Sequence, residues 1–121
     1  MLNLDTHILI YAVQGQLSSK EEAHLRQTSS WYIADIVLWE ITKLSQLGRI
    51  DFDLDSPVIQ EFLGHLNILP IDDKVCRALK KLDFKSDPAD EIIAATSLAC
   101  NIPLLTRDKT IKKSKLVPLV I

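Results

Sequence analysis

One rhythm constrains this chain more than any other feature. Short apolar runs at positions 2–5, 31–34, 68–71 and 103–106, with a last one inside 116–121, are separated by longer stretches of helical periodicity. The runs do not alternate polar with apolar residues, so they read as strands buried on both faces. Helices are expected from Ile8, from Ser18 or Ser19 to about position 27, and over 35–47 with Gly48 as the stop. Further helices are expected from Ser56-Pro57 to about 66, from Asp72 or Asp73 to about 82, and from Asp87-Pro88 to Asn101. The stretches 51–57 and 83–86 read as loops, and a short basic turn follows Asp108. Strands alternating with helices give an α/β fold, a parallel sheet covered on both faces in three α/β/α layers. Ligands of such sheets bind beyond the carboxyl ends of the strands.

Size and charge narrow the options. The 121 residues, 47% hydrophobic and 25% charged, supply one core and no second, so the chain reads as a single domain over 1–121. Only 3 Gly and 5 Pro are present, and no linker, repeat or low-complexity stretch interrupts the pattern. The net charge of −2 hides a split: residues 1–73 hold 11 acids and 4 bases, residues 74–121 hold 5 acids and 10 bases. A uniformly basic DNA-coating protein is excluded, and so is a disordered acidic tail, because the acids are interleaved with apolar residues. The longest uncharged apolar runs, 8–13 and 116–121, fall far short of the ~20 residues of a membrane span. No basic leader opens the chain. A cytoplasmic protein without membrane contact is expected. Cys76 and Cys100 lack CxxC or Cys/His spacing and are expected as two buried free thiols in a reducing compartment.

Several acids sit where acids are costly or conspicuous. Asp5 ends the first apolar run, and Asp108 lies two residues past the fourth. Each is also a natural N-cap for the next helix. On a wheel of the helix over 35–47, at about 100° per residue, Glu40 falls inside the arc of Ile36, Val37, Ile41, Leu44 and Leu47. A carboxylate there needs a partner, whether a metal or a buried ion pair. Asp87 and Asp90 open a helix with no charge from Ile92 to Pro103. Asp87 before Pro88, with Asp90 in the first turn, also forms a capped start. If the first and fourth strands are neighbours, four acids from four elements meet at one end of one sheet. Carboxylate oxygens suit Mg²⁺ or Mn²⁺, and a cluster of like charges is stable only when a cation or protons neutralise it. His7, His24 and His65 offer no zinc spacing, and His24 and His65 read as surface residues. No GxxxxGK[ST], GxGxxG or GxSxG occurs.

Leu4-Asp5-Thr6-His7, Leu38-Trp39-Glu40-Ile41 running to Gly48-Arg49-Ile50, Asp87-Pro88-Ala89-Asp90 with Ile93-Ala94-Ala95-Thr96, and Leu105-Thr106-Arg107-Asp108 together resemble the PIN-domain family. More narrowly they resemble the small VapC-type toxins of toxin–antitoxin pairs. Each motif alone is weak; four in order are specific. The resemblance implies a parallel sheet of four or five strands in the order 3-2-1-4-5, with the first and fourth adjacent. It implies an endoribonuclease dependent on one or two Mg²⁺ or Mn²⁺ ions. Asp5, Glu40, Asp90 and Asp108 match the catalytic and metal-binding acids, Asp87 an acid beside the third, and Thr6 and Thr106 supporting hydroxyls. Glu91 departs from the arginine often found after the third acid. The chemistry expected is in-line attack of an activated water on a phosphodiester of accessible, single-stranded or loop RNA, leaving a 5′-phosphate and a 3′-hydroxyl. Lys43, Arg49, Arg107, Lys109, Lys112 and Lys113 are candidates for steering the RNA backbone, or else simply a solvated surface.

Trp39 falls opposite the apolar arc of its helix and is a candidate partner surface, or else packs under a neighbouring helix. The family resemblance also implies a homodimer and an antitoxin that blocks the site. Two rival readings stand beside the nuclease. One is a PIN-like domain that only binds RNA or protein. The other is a phospho-accepting receiver domain, which needs an acid pair after the first strand and a strand-ending Lys, where this chain has Thr6-His7 and Thr106-Arg107.

Overall fold

The computed structural model describes residues 1–120. The chain runs β1 (Leu2–Leu4), α1 (Thr6–Gln14), α2 (Ser19–Gln27), β2 (Trp31–Ala34), α3 (Ile36–Gln46), α4 (Pro57–Gly64), β3 (Leu66–Leu69), α5 (Asp73–Leu79), α6 (Pro88–Cys100), β4 (Leu104–Leu105) and α7 (Lys109–Lys112). The strands form one parallel sheet in the order β3-β2-β1-β4, as expected. At the fifth position the expected strand shrinks to one parallel bridge, Leu104 to Leu119. There the Leu104 N–H donates to the Pro118 carbonyl at 2.9 Å and the Val120 N–H to the Leu104 carbonyl at 3.0 Å. Ile121 lies outside the described residues.

Alternation along β1 separates the two layers. Leu4 faces a groove lined by Ala12, Leu17, Leu25, Trp31 and Phe62, from α1, α2, β2 and α4. Asn3 faces the other way, and its Nδ2 donates to Ser97 Oγ of α6 at 2.9 Å, with both residues fully buried. Asp5, two positions on, shares the Asn3 side of the strand. The main core gathers Leu2, Leu4, Ile8, Ile33, Val37, Ile41, Ile93 and Leu104. A small second cluster of Val75, Ala78 and Ala95 joins α5 to α6.

Local chemistry sets the boundaries. Ser18 and Glu21 close a full capping box on α2. Pro88 starts α6, and Asn101 in the left-handed conformation, φ 53°, ends it. β3 lies two residues earlier than the run 68–71 suggests. Pro70 has no N–H for the ladder, so β3 ends at Leu69, opposite Ala34. Asp35 then takes over: its N–H donates to the Leu69 carbonyl at 2.9 Å, and its Oδ2 accepts the Ile71 N–H at 3.0 Å. Cys76 and Cys100 are free as expected but exposed, not buried. Val75 and Ala78 take the inward face of α5, and Cys100 is the last residue of α6.

The Asn3–Ser97 bond is the polar tie between β1 and α6, and Asn3 Oδ1 already lacks a partner. Ser97→Ala strands the Asn3 amide as well and is expected to cost about 1–3 kcal/mol in urea unfolding. A change under about 0.5 kcal/mol, the size of an ordinary surface substitution, would show that the bond carries no weight.

Candidate active site

The pairing of β1 with β4 sets two acids side by side. The Asp5 N–H donates to the Leu105 carbonyl at 3.1 Å, which continues the ladder one residue past the strands. Asp5 N-caps α1, and its Oδ1 accepts the Thr6 N–H at 2.8 Å. Asp108 N-caps α7, and its Oδ1 accepts the Ile111 N–H at 2.9 Å. One hydroxyl joins them. Thr106 Oγ1 accepts the Asp108 N–H at 3.0 Å and donates to Asp5 Oδ2 at 2.5 Å. Because that oxygen accepts from an amide, its own proton is committed to the carboxylate, which fixes the orientation of Asp5.

Two further acids arrive from α3 and α6. Glu40 is half-buried on α3, and Thr6 Oγ1 donates to its Oε1. The acid inside the apolar arc therefore has a hydroxyl partner from the first turn of α1. Asp90 stands in the first turn of α6, where Ser86 Oγ donates to its Oδ2 at 3.2 Å. Glu91 folds back so that its Oε2 accepts the Ser86 N–H at 3.1 Å.

Asp5, Asp90 and Asp108 line a cleft of about 240 Å³ together with His7, Tyr11 and Arg107. Asp5 is only 4% exposed, and burial is the main force raising its carboxyl above the usual range. Hydrogen bonds from Thr106 and Thr6 and the nearby His7 pull it back, while Asp108 adds to the rise. Asp90 is pushed up to about 6, first by burial, then by the charges of Asp5, Glu40 and Asp108, against the pull of its Ser86 hydrogen bond. Four acids from four elements thus share one electrostatic field. Among the described residues, no three His, Cys, Asp or Glu side chains converge on one ion-sized point. The donor set nevertheless fits a hard divalent cation: all carboxylate, mutually repelling, and raising Asp90 in the absence of a counter-charge.

Other expected residues stand apart from this cleft. Asp87 is exposed at the start of α6, makes no side-chain cap bond and lies outside the lining. Lys43, Arg49, Lys109, Lys112 and Lys113 are exposed. Arg107 lines the cleft but is ion-paired with Glu21 of α2 at 2.7 Å. Trp39 is 55% exposed on α3 and is not packed under a neighbouring helix. Sequence reasoning passed over Tyr11, Glu21 and Ser86. Tyr11 was traceable as the residue one helical turn beyond His7, and Glu21 as the third residue of a capping box; nothing local singles out Ser86.

The raised acid makes stability depend on pH. Asp90 rises from 3.8 to about 6 in the folded chain, so between those values the folded state holds more protons than the unfolded one. Its contribution is present at low pH and lost as pH rises through about 6; partial exposure reduces its size. Glu21, lowered to about 2, loses its contribution only below its ordinary value of 4.5, outside the range of pH 5 to 7. In chelator, the Tm of Asp90→Asn relative to wild type is therefore expected to climb between pH 5 and pH 7. A difference independent of pH would remove Asp90 from the shared field.

Comparison with known proteins places this arrangement. Among the solved structures that share the fold are three toxin–antitoxin complexes. The VapBC2 complex of Rickettsia felis, bound to a promoter DNA fragment, aligns with TM-score 0.77 at 20% identity over 99% of this chain and 98% of that one. A DNA-bound VapBC of Salmonella typhimurium gives 0.70 at 16% identity over 98% and 96%. A toxin–antitoxin complex of Klebsiella pneumoniae gives 0.69 at 18% identity over 100% and 97%. No curated protein matches in sequence. The family model that does match is the PIN domain, over residues 3–115, a span that holds all four clustered acids; by that match this chain is a member of the PIN domain family.

Proposed function

We propose that this protein is a divalent-metal-dependent endoribonuclease and the toxin of a toxin–antitoxin pair. The observation that carries the reading is the cleft itself, where Asp5, Asp90 and Asp108 from separate elements meet and where burial, with the charges of Asp5, Glu40 and Asp108, pushes Asp90 up to about 6. Asp5, Glu40, Asp90 and Asp108 would hold one or two Mg²⁺ or Mn²⁺ ions, without Asp87, which lies outside the cleft lining. When bound, the cation supplies an activated water and charge stabilisation on the attacked phosphate. The chain's own residues do the rest. Thr106 holds Asp5 and Thr6 holds Glu40 in fixed orientations. Ser86 steadies Asp90 at the mouth of the cleft. The products are expected to carry a 5′-phosphate and a 3′-hydroxyl. The toxin role and an antitoxin partner are read from the likeness to toxin–antitoxin complexes, and a homodimer from the family resemblance, with exposed Trp39 as a candidate contact.

Purified protein is expected to cut single-stranded RNA with Mg²⁺ or Mn²⁺ and to stop with EDTA. Asp5→Asn and Asp90→Asn are each expected to lower the rate at least ~100-fold while the far-UV CD spectrum is kept. Thr106→Val, which keeps the shape and removes the hydroxyl, is expected to cost about 10–100-fold, as losses of groups that orient metal ligands do. Cutting at the wild-type rate by either Asn variant would overturn the site. RNA binding without any cutting would favour the silent PIN-like reading.

A further inference from the structure

Arg107 joins the acid cleft to α2 through an unusually complete set of contacts. Its Nε donates to Glu21 Oε2 at 2.8 Å, and its Nη2 donates to Glu21 Oε1 at 2.7 Å and to the Gln16 carbonyl at 3.3 Å. The guanidinium carbon lies 4.2 Å from the centroid of the Tyr11 ring. Glu21 is fixed in turn, because its Oε1 also accepts the Ser18 N–H at 2.8 Å in the capping box of α2. The side chain of Glu21 is 14% exposed and that of Arg107 40%. The pair is strong enough to hold the Glu21 carboxyl down at about 2.

The direction of this clamp matters. Arg107 lines the same cleft as Asp5, Asp90 and Asp108, and an unrestrained guanidinium beside three carboxylates would pair with them and compete with a cation. Glu21 instead holds it from the α2 side. Its hydrogen bonds to Glu21 and Gln16 use Nε and Nη2, so Nη1 serves neither. An arginine already neutralised by Glu21 adds little long-range steering, but its two Nη1 N–H groups remain as oriented donors at the wall of the cleft.

We propose that Arg107 is a fixed phosphate-contacting residue, presenting Nη1 to a non-bridging oxygen of the RNA backbone, and that Glu21 and Tyr11 are its positioning residues. The proposal rests on the nuclease reading. It differs from a diffuse basic surface in one sign. If Arg107 acts only as a positive charge, Glu21→Gln unmasks that charge and tightens RNA binding. If Arg107 acts as an oriented donor, the same substitution weakens binding although it removes a negative charge. Gln also satisfies the capping box, so α2 is preserved.

The test measures the Kd of a single-stranded RNA by fluorescence anisotropy in chelator, where nothing is cut, and kcat/KM with Mg²⁺. Arg107→Gln and Arg107→Lys are both expected to weaken binding about 10-fold or more, since Lys lacks the planar fork. Glu21→Gln and Tyr11→Leu are expected to weaken it about 3–10-fold, with the Glu21→Gln effect vanishing in an Arg107→Gln background. Thermal melts check that each variant is folded. Binding by Glu21→Gln as tight as wild type or tighter overturns the clamp, as does full rescue by Arg107→Lys. Wild-type protein that binds RNA through Arg107 but cuts none removes the nuclease reading and leaves the contact standing. Wild-type protein that cuts, with Arg107→Gln unchanged in Kd and kcat/KM, removes the contact and leaves the nuclease.

Discussion

The parallel pairing of β1 with β4 is the constraint on which the site depends. Asn3 aligns with Leu104 and Leu4 with Leu105, and one further bond carries the register to Asp5. A parallel ladder puts the carboxyl ends of both strands at the same edge. Residues almost the whole length of the chain apart, Asp5 and the Thr106–Asp108 turn, are thereby fixed within hydrogen-bond reach. Neither segment has much freedom: β1 is three residues long and wholly buried, and β4 is two. Short strands suffice because both faces are covered, so register is enforced by side chains above and below as well as by the backbone.

What this edge collects is electrostatically unfavourable, and the chain manages it with hydroxyls instead of cations. Thr106 serves Asp5, Thr6 serves Glu40 and Ser86 serves Asp90. A hydroxyl stabilises a carboxylate without neutralising it, so the summed negative charge survives. The one arginine in the cleft is drawn off by Glu21. Asp90, partly buried and facing the charges of Asp5, Glu40 and Asp108, responds by rising toward 6. A fold selected for stability alone would pair these acids. Keeping them unpaired is a local cost that the uniformly apolar core of Ile8, Ile33, Ile41 and Ile93 can carry.

The sheet and its acids were legible in the sequence because both are written in local terms. Apolar runs mark strands, and an acid at the end of a run or within two residues of it marks the carboxyl end, which held for Asp5 and Asp108. Glu40 was legible because helical periodicity put it among apolar neighbours, and its Thr6 partner explains why it is tolerated there. The misjudged features depend on tertiary context. β3 slid two residues because Pro70 withholds an N–H and Asp35 caps the ladder, and apolar Ile71 gave no sign of either. Cys76 and Cys100 carry no periodic signal of their own, and the narrow Val75–Ala78–Ala95 contact left them outside. Ser86 and the Arg107–Glu21 pair were illegible because each depends on which side chains the fold sets against one another, for Arg107 across 86 positions.

Two acids with raised carboxyls, Asp5 beside β1 and Asp90 on α6, differ in burial. Asn3 and Asp5 lie two residues apart on one face of β1, about 6.6 Å along a strand. Ser97 and Asp90 lie seven apart on one face of α6, about 10.5 Å along a helix. The Asn3–Ser97 bond ties the two elements at one level. Both acids line the cleft, Asp90 half-exposed and Asp5 only 4% exposed. Burial is the first cause of the rise at each, and the hydroxyls of Thr106 and Ser86 pull against it, so each carboxyl balances desolvation against a hydrogen bond.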